Sequence, residues 1–195
     1  FCGPHFSTQW DGDVKKLLEK DRKFWVKWGI HKPINSKKDT DETIVLSRDC
    51  DTSGLKYIEV KGGEPFLNME FSEFLKRFVD SGEARGIRLH LSSNLTVVDT
   101  SVLELFREFR RVSINVSMEG TGDLYKYLRG GRYSLEDHVT PNLLVLDQFP
   151  NIEINFHMVL SALNVFGLKD FVSWYDDLAI KNKNKWPFRN LAWPD

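Results

Sequence analysis

Tyr57-Ile58-Glu59-Val60-Lys61-Gly62-Gly63-Glu64-Pro65, followed by apolar residues at Phe71, Phe74, Leu75, Phe78 and Val79, decides how this chain is read. Tyr57 to Val60 carries a short strand signal. The five apolar positions recur at i, i+3, i+4, i+7 and i+8, the stripe of an amphipathic helix. Gly82 is placed to stop that helix. Upstream, Val14, Leu17, Leu18 and Trp25 lie at helical spacings and predict a helix near residues 13–28, and Thr43 to Leu46 is an additional strand candidate. Downstream, Ile87 to Leu91 alternates apolar with polar residues, as a strand does. Ser101-Val102-Leu103-Glu104 has capping-box spacing and opens a helical run through Phe109. Val112 to Met118 alternates again, and Ile152 to Leu160 is the longest strand signal. Glu136 to Phe149 reads as helix, with Pro141 in its first turns or kinking it. Leu168, Phe171, Val172, Tyr175 and Leu178 make a final helical stripe.

Strand and helix thus alternate with a period of roughly 25–40 residues, the mark of a parallel sheet with crossover helices. About four such units fit, whereas a full eightfold barrel takes ~250 residues. The expected fold is therefore α/β, a partial, open parallel βα barrel of the TIM-barrel type. A doubly wound sheet is the alternative, and periodicity alone does not separate the two. The 195 residues suit a single domain spanning 1–195, and 41% hydrophobic residues supply its core. Phe1-Cys2 at one end and Trp193-Pro194-Asp195 at the other suggest truncation on both sides.

A formal net charge of −1 gives no global pull toward nucleic acid or membrane. The basic run Lys181 to Lys185 reads as a solvated loop. Neither a signal peptide nor an apolar run of about 18 residues is visible. Two cysteines, Cys2 and Cys50, are too few for a disulfide framework.

Ligands of parallel α/β folds meet the carboxyl ends of the strands. There the chain carries Lys61-Gly62-Gly63-Glu64-Pro65, Ser92-Ser93-Asn94, Ser117-Met118-Glu119-Gly120-Thr121-Gly122 and Ser161-Ala162-Leu163-Asn164. Ordinary turns use such residues too. Gly62 to Pro65 stands apart: its glycines allow close ligand approach, and its carboxylate and carbonyls can accept hydrogen bonds from an ammonium group.

Gly62-Gly63-Glu64-Pro65 after a strand resembles the Gly-Gly-Glu-Pro motif of radical S-adenosylmethionine (radical SAM) enzymes, which holds the amino group of the methionine moiety. Phe1-Cys2 resembles the last two positions of the family's C-x-x-x-C-x-Φ-C cluster motif. Ser93-Asn94 resembles its Thr-Asn at the third strand. Ser117-Met118-Glu119-Gly120 resembles its Ser-hydrophobic-Asp-Gly at the fourth, with Glu119 where Asp is usual. Arg129 follows Ser117 by 12 residues, a spacing common in members with SPASM or twitch extensions.

The resemblance implies an enzyme whose [4Fe–4S] cluster cleaves S-adenosylmethionine reductively to a 5′-deoxyadenosyl radical that abstracts hydrogen from a substrate. It assigns Cys2 to the cluster as a metal ligand, the other two cysteines being expected upstream. Gly62, Gly63, Glu64 and Pro65 would hold the amino end, with Ser93 and Asn94 at the next strand end. Ser117, Glu119 and Arg129 would hold the polar methionine and ribose groups, and Asn164 would lie near the adenine. A peptide or small-molecule substrate, a flavodoxin- or ferredoxin-like electron donor and a cytoplasmic setting follow as expectations.

Blander readings stand beside these. Cys50 reads as a structural or free thiol, and His5 as a loop or packing residue. Trp174, Tyr175 and Trp186 are candidates for a substrate cleft, but such aromatics are usually core. A cluster-free barrel serving as a nucleotide-binding or scaffold module is the alternative function. An unrelated α/β enzyme using Glu59, Glu64 and Glu119 as acid and base is another.

Overall fold

The computed structural model describes residues 16, 18–23, 27, 52–182 and 190–192. The chain divides into two compact units, Phe1–Ser53 and Gly54–Asp195. In the first unit, residues 16, 18–23 and 27 are helical, inside the helix expected near 13–28. The strand expected at Thr43 to Leu46 lies outside the described residues, as do Cys2, His5, Cys50 and Trp186.

Among the described residues the second unit contains five strands: β1 (Tyr57–Val60), β2 (Arg88–Ser93), β3 (Arg111–Ser117), β4 (Ile152–Val159) and β5 (Asn190–Ala192). They stand side by side in chain order, and every neighbouring pair is parallel. The crossovers carry α1 (Met69–Asp80), α2 (Thr100–Phe106), α3 (Gly122–Leu128), α4 (Thr140–Leu146) and α5 (Leu168–Asn182). A doubly wound sheet reverses its strand order at a switch point. This sheet does not, so it is an arc of barrel, the partial open βα barrel expected from the alternation.

The two-residue period of the strands separates the faces of the sheet. Leu89 and Leu91, Val112, Ile114 and Val116, and Ile154, Phe156 and Met158 are buried. They share one core with Leu75 and Phe78 of α1, Leu103 and Phe106 of α2, Tyr125 of α3, Leu143 and Leu146 of α4, and Phe171 of α5. The intervening residues are polar: Glu59 pairs in register with His90, His90 with Ser113, and Ser113 with Glu153. On that polar face Asn155 Nδ2 donates to Ser113 Oγ at 3.0 Å, and Asn115 Nδ2 lies 3.1 Å from His90 Nε2.

Local signals account for most boundaries. Asn68 caps α1 by accepting from the Glu70 amide at 2.9 Å, and Gly82, at φ +77°, follows its end. Two expectations need correction. The cap of α2 is Asp99, whose carboxylate accepts from both the amide and the hydroxyl of Ser101 (2.8 and 2.7 Å). An anionic cap suits the positive helix end better than the expected serine. The helix also stops at Phe106, short of Phe109. Before α4 the chain forms a π turn over Leu135–Val139, and Pro141 stands in the first turn of the helix proper. Proline has no amide to donate to the preceding turn, which favours such a break.

In α5, Phe171 and Leu178 are buried but Val172 is exposed. Trp174 and Tyr175 are core, their rings meeting Phe156 edge-on at 5.8 and 5.6 Å. Among the described residues no helix is long and apolar enough to cross a membrane.

Candidate functional site at the carboxyl rim

β1 ends in Lys61-Gly62-Gly63-Glu64. Gly62 and Gly63 lie at φ +92° and +58°, and a Cβ on either would meet no atom of the described residues within 4 Å. The loop therefore turns in a backbone conformation costly to other residues, beneath open space. Pro65 and Phe66 are buried in the 3-10 turn that follows, which anchors the loop.

The Glu64 side chain crosses from β1 to the end of β2. Ser93 Oγ donates to Oε1 at 2.6 Å, and the Asn94 amide donates to Oε2 at 2.9 Å. Burial pushes the Glu64 carboxyl above its ordinary value, an effect opposed by Ser93, by the amides of Asn94 and Phe66, and by the charge of Arg129. The carboxylate is thus fixed by hydrogen bonds yet costly to keep charged without a further cation.

The loop after β2 is held rigidly. Ser93 Oγ also accepts from the Leu95 amide at 2.9 Å. Asn94 Oδ1 accepts from the amide and hydroxyl of Thr96 at 2.9 and 2.7 Å. Leu95, fully buried, has φ +52°. A branched residue there is strained by about 1–2 kcal/mol. Asn142 Nδ2 of α4 helps hold it, donating to the Leu95 carbonyl at 2.8 Å.

The third cluster joins β3 to α3. Arg129 Nη2 donates to the Ser117 carbonyl at 2.7 Å and to Glu119 Oε1 at 2.9 Å. Glu119 Oε2 is 2.7 Å from the same nitrogen, close enough for an ion pair but poorly aligned for a hydrogen bond. The pair is mostly buried, its side chains 24% and 20% exposed. Below it lies Tyr125, fully buried. Among the described residues, the buried side-chain polar atoms without a hydrogen-bond partner are Glu119 Oε2, Tyr125 Oη and Arg129 Nε. All three belong to this cluster. Each such atom costs roughly 1–3 kcal/mol unless something satisfies it.

Asn164 stands apart from these groups. Its Oδ1 accepts from the amide and hydroxyl of Ser161 at 2.7 and 3.2 Å, and its Nδ2 donates to the Val159 carbonyl at 2.9 Å. The side chain closes the loop after β4.

The structure therefore brings Glu64, Ser93 and Asn94 into one contact group and Ser117, Glu119 and Arg129 into another, with Arg129 acting electrostatically on Glu64. Gly62, Gly63 and Pro65 shape the first loop. Ser117 takes part through its carbonyl. Sequence reasoning missed Tyr125 and His157. Tyr125 precedes Arg129 by one helical turn, and His157 pairs in register with Ser117 on the polar face. Helix spacing and strand alternation were the available signals. A cleft of about 250 Å³ opens elsewhere, toward the amino ends of the strands, between Tyr57, Arg88, His90, Arg111, Ser113 and Glu153. The polar rim groups are at the other end of the sheet.

The open backbone over Gly62 and Gly63, the buried carboxylate and the unsatisfied atoms beside Arg129 fit a ligand with ammonium and carboxylate groups, as S-adenosylmethionine has. For a metal cluster the described residues offer no set of three His, Cys, Asp or Glu. Cys2, assigned to the cluster by resemblance, lies outside them.

A sheet wound as a barrel arc with this polar rim defines an α/β-barrel protein with a candidate site at its strand ends. The chain belongs to the radical SAM superfamily, whose family pattern residues 31–160 match. This removes the reading as an unrelated α/β enzyme. Among solved structures it is similar to Streptococcus suis SuiB bound to S-adenosylmethionine, at 15% identity and a TM-score of 0.50, over 78% of this chain and 33% of that one. SuiB bound to precursor peptide SuiA gives 15% identity and 0.47, over 78% and 32%. Native anSMEcpe with bound AdoMet gives 20% and 0.48, over 70% and 40%. The first likeness speaks for the fold alone. The chain spans about a third of the length of SuiB. No curated protein matches it.

Proposed function

We propose that the rim binds S-adenosylmethionine for radical chemistry, with Glu64 receiving the ammonium group and Arg129 the carboxylate. The observation that carries this is a buried carboxylate after β1, fixed by Ser93 and Asn94, within electrostatic reach of a guanidinium held at the end of β3. Glu64, Glu119 and Arg129 together leave one negative charge. The sulfonium, ammonium and carboxylate of S-adenosylmethionine leave one positive charge, so the complex is neutral.

Glu64 is oriented by Ser93 and Asn94, and its cost of charging is relieved when an ammonium arrives. Arg129 Nη2 is tied to Ser117 and Glu119, and Nε has no hydrogen-bond partner among the described residues, so the guanidinium retains a charge-assisted donor for a ligand carboxylate. Gly62 and Gly63 let the ligand approach the backbone. Ser117 and Glu119 border the ribose, and the backbone near Asn164 the adenine. A [4Fe–4S] cluster, with Cys2 among its ligands, would supply the electron that yields the 5′-deoxyadenosyl radical. The same reading takes in a peptide or small-molecule substrate, a flavodoxin- or ferredoxin-like donor, a cytoplasmic setting and a SPASM or twitch kinship resting on the Ser117–Arg129 spacing.

Equilibrium dialysis with S-adenosylmethionine tests the binding, and anaerobic reconstitution followed by a 5′-deoxyadenosine assay tests the chemistry. Binding lost in Glu64→Gln and Arg129→Ala, with 5′-deoxyadenosine formed by the unaltered protein, is expected. Binding without cleavage marks a cluster-free nucleotide-binding barrel instead. No binding sinks the proposal.

A further inference from the structure

We propose that Tyr125 is a positioning residue of the rim: its hydroxyl donates to Glu119 Oε2 and so holds Arg129 in the orientation that meets a carboxylate. The inference rests on the reading of the rim as a cosubstrate site. Arg129 lies one turn beyond Tyr125, its amide donating to the Tyr125 carbonyl at 2.9 Å, so the two side chains share a helix face. Tyr125 is fully buried, and its hydroxyl is a donor without a partner among the described residues. Glu119 Oε2, ion-paired with Arg129 Nη2 at 2.7 Å, is a buried acceptor that takes no aligned hydrogen bond among the described residues. A donor and an acceptor that each lack a hydrogen bond in one buried cluster satisfy each other by a small side-chain rotation or through one enclosed water.

Electrostatics agree with this placement. Burial, opposed by the charge of Arg129 and reinforced by those of Glu119 and Glu64, pushes the phenol up to about 12. The hydroxyl thus keeps its proton at any ordinary pH and remains a donor. Among the described residues Glu119 is otherwise held by a single nitrogen, Arg129 Nη2, which lies near both its oxygens. Without the phenol, carboxylate and guanidinium are free to turn together toward solvent.

The test compares S-adenosylmethionine with its decarboxylated analogue, which keeps the ring, sulfonium and ammonium. Dialysis is run on the full chain and on Tyr125→Phe, which removes only the hydroxyl. The variant is expected to weaken S-adenosylmethionine binding roughly tenfold, to leave the analogue unchanged, and to have no further effect in an Arg129→Ala background. Equal weakening of both compounds, or of neither, overturns the proposal. A urea double-mutant cycle between Tyr125→Phe and Glu119→Ala needs no ligand. Non-additive stabilities are expected, and additive ones overturn the proposal. If the unaltered chain binds neither compound while the cycle shows coupling, the cosubstrate reading has failed and the Tyr125–Glu119 contact stands.

Discussion

Glu64 is the residue on which most of the rim depends. Its carboxyl is raised by burial, so folding favours the protonated form. The contribution to stability is therefore complete below the ordinary value of 4.5 and is lost as pH rises through the raised value. Ammonium binding has the opposite preference, since it needs the carboxylate. S-adenosylmethionine affinity is expected to fall on acidification through the raised value, and the Glu64→Gln chain to bind weakly with a flatter profile; dialysis across pH checks both. The loss on Glu64→Gln at neutral pH is about 10- to 100-fold, the worth of a charge-assisted hydrogen bond. An unchanged affinity would place the ammonium elsewhere. Glu119, where the family usually has Asp, reaches Arg129 with both oxygens near one nitrogen, so the longer side chain is accommodated by the ion pair.

Two short elements hold these residues in place. In the turn from β3 into α3, a Cβ on Gly120 would stand 2.9 Å from Leu124 Cγ and Cδ2, and one on Gly167 would stand 2.5 Å from Cδ2. Leu124 is thus wedged between the loops after β3 and β4. Gly120→Ala is expected to cost about 1–3 kcal/mol by overpacking, read as a lower urea midpoint with unchanged slope. In the loop after β2, the strained Leu95 is tied to α4 by Asn142. Asn142→Ala is expected to cost about 1–2 kcal/mol and to speed hydrogen exchange at Leu95 and Thr96. If exchange there is unaffected, the loop is held by Ser93 and Asn94 alone.

Across the second unit, the sheet arc gathers side chains from three strand ends and the crossover between β3 and β4. A ligand bridging them stabilises the folded chain by mass action. S-adenosylmethionine at about 100 times its Kd is expected to add about 2.7 kcal/mol, seen as a higher Tm. The Tyr125→Phe chain should need more ligand for the same shift, whereas no shift in the unaltered chain would argue against a site spanning these elements. The polar face below the rim, with His90, Asn115 and Asn155 in hydrogen bonds and His157 level with Ser117, gives this arc a hydrophilic side opposite its apolar core.

Sequence alone determined the alternation of strands and helices, because two-residue and helical periods are local properties of apolar spacing. It likewise determined the Gly62–Gly63–Glu64–Pro65 turn, since left-handed backbone beneath open space demands glycine there. Ser117 and Arg129 stood out in the sequence only through their resemblance to a family pattern. Tertiary structure decided what periodicity leaves open. The strand order separated barrel from doubly wound sheet, because pairing joins residues far apart in the chain. The Asp99 cap prevailed over Ser101 because the carboxylate accepts from both Ser101 donors. Asn164 turned inward because its amide closes a loop that no local pattern reveals. Tyr125 passed as an apolar residue until the fold enclosed its hydroxyl with Glu119 and Arg129, where an unmet hydrogen bond acquires a cost.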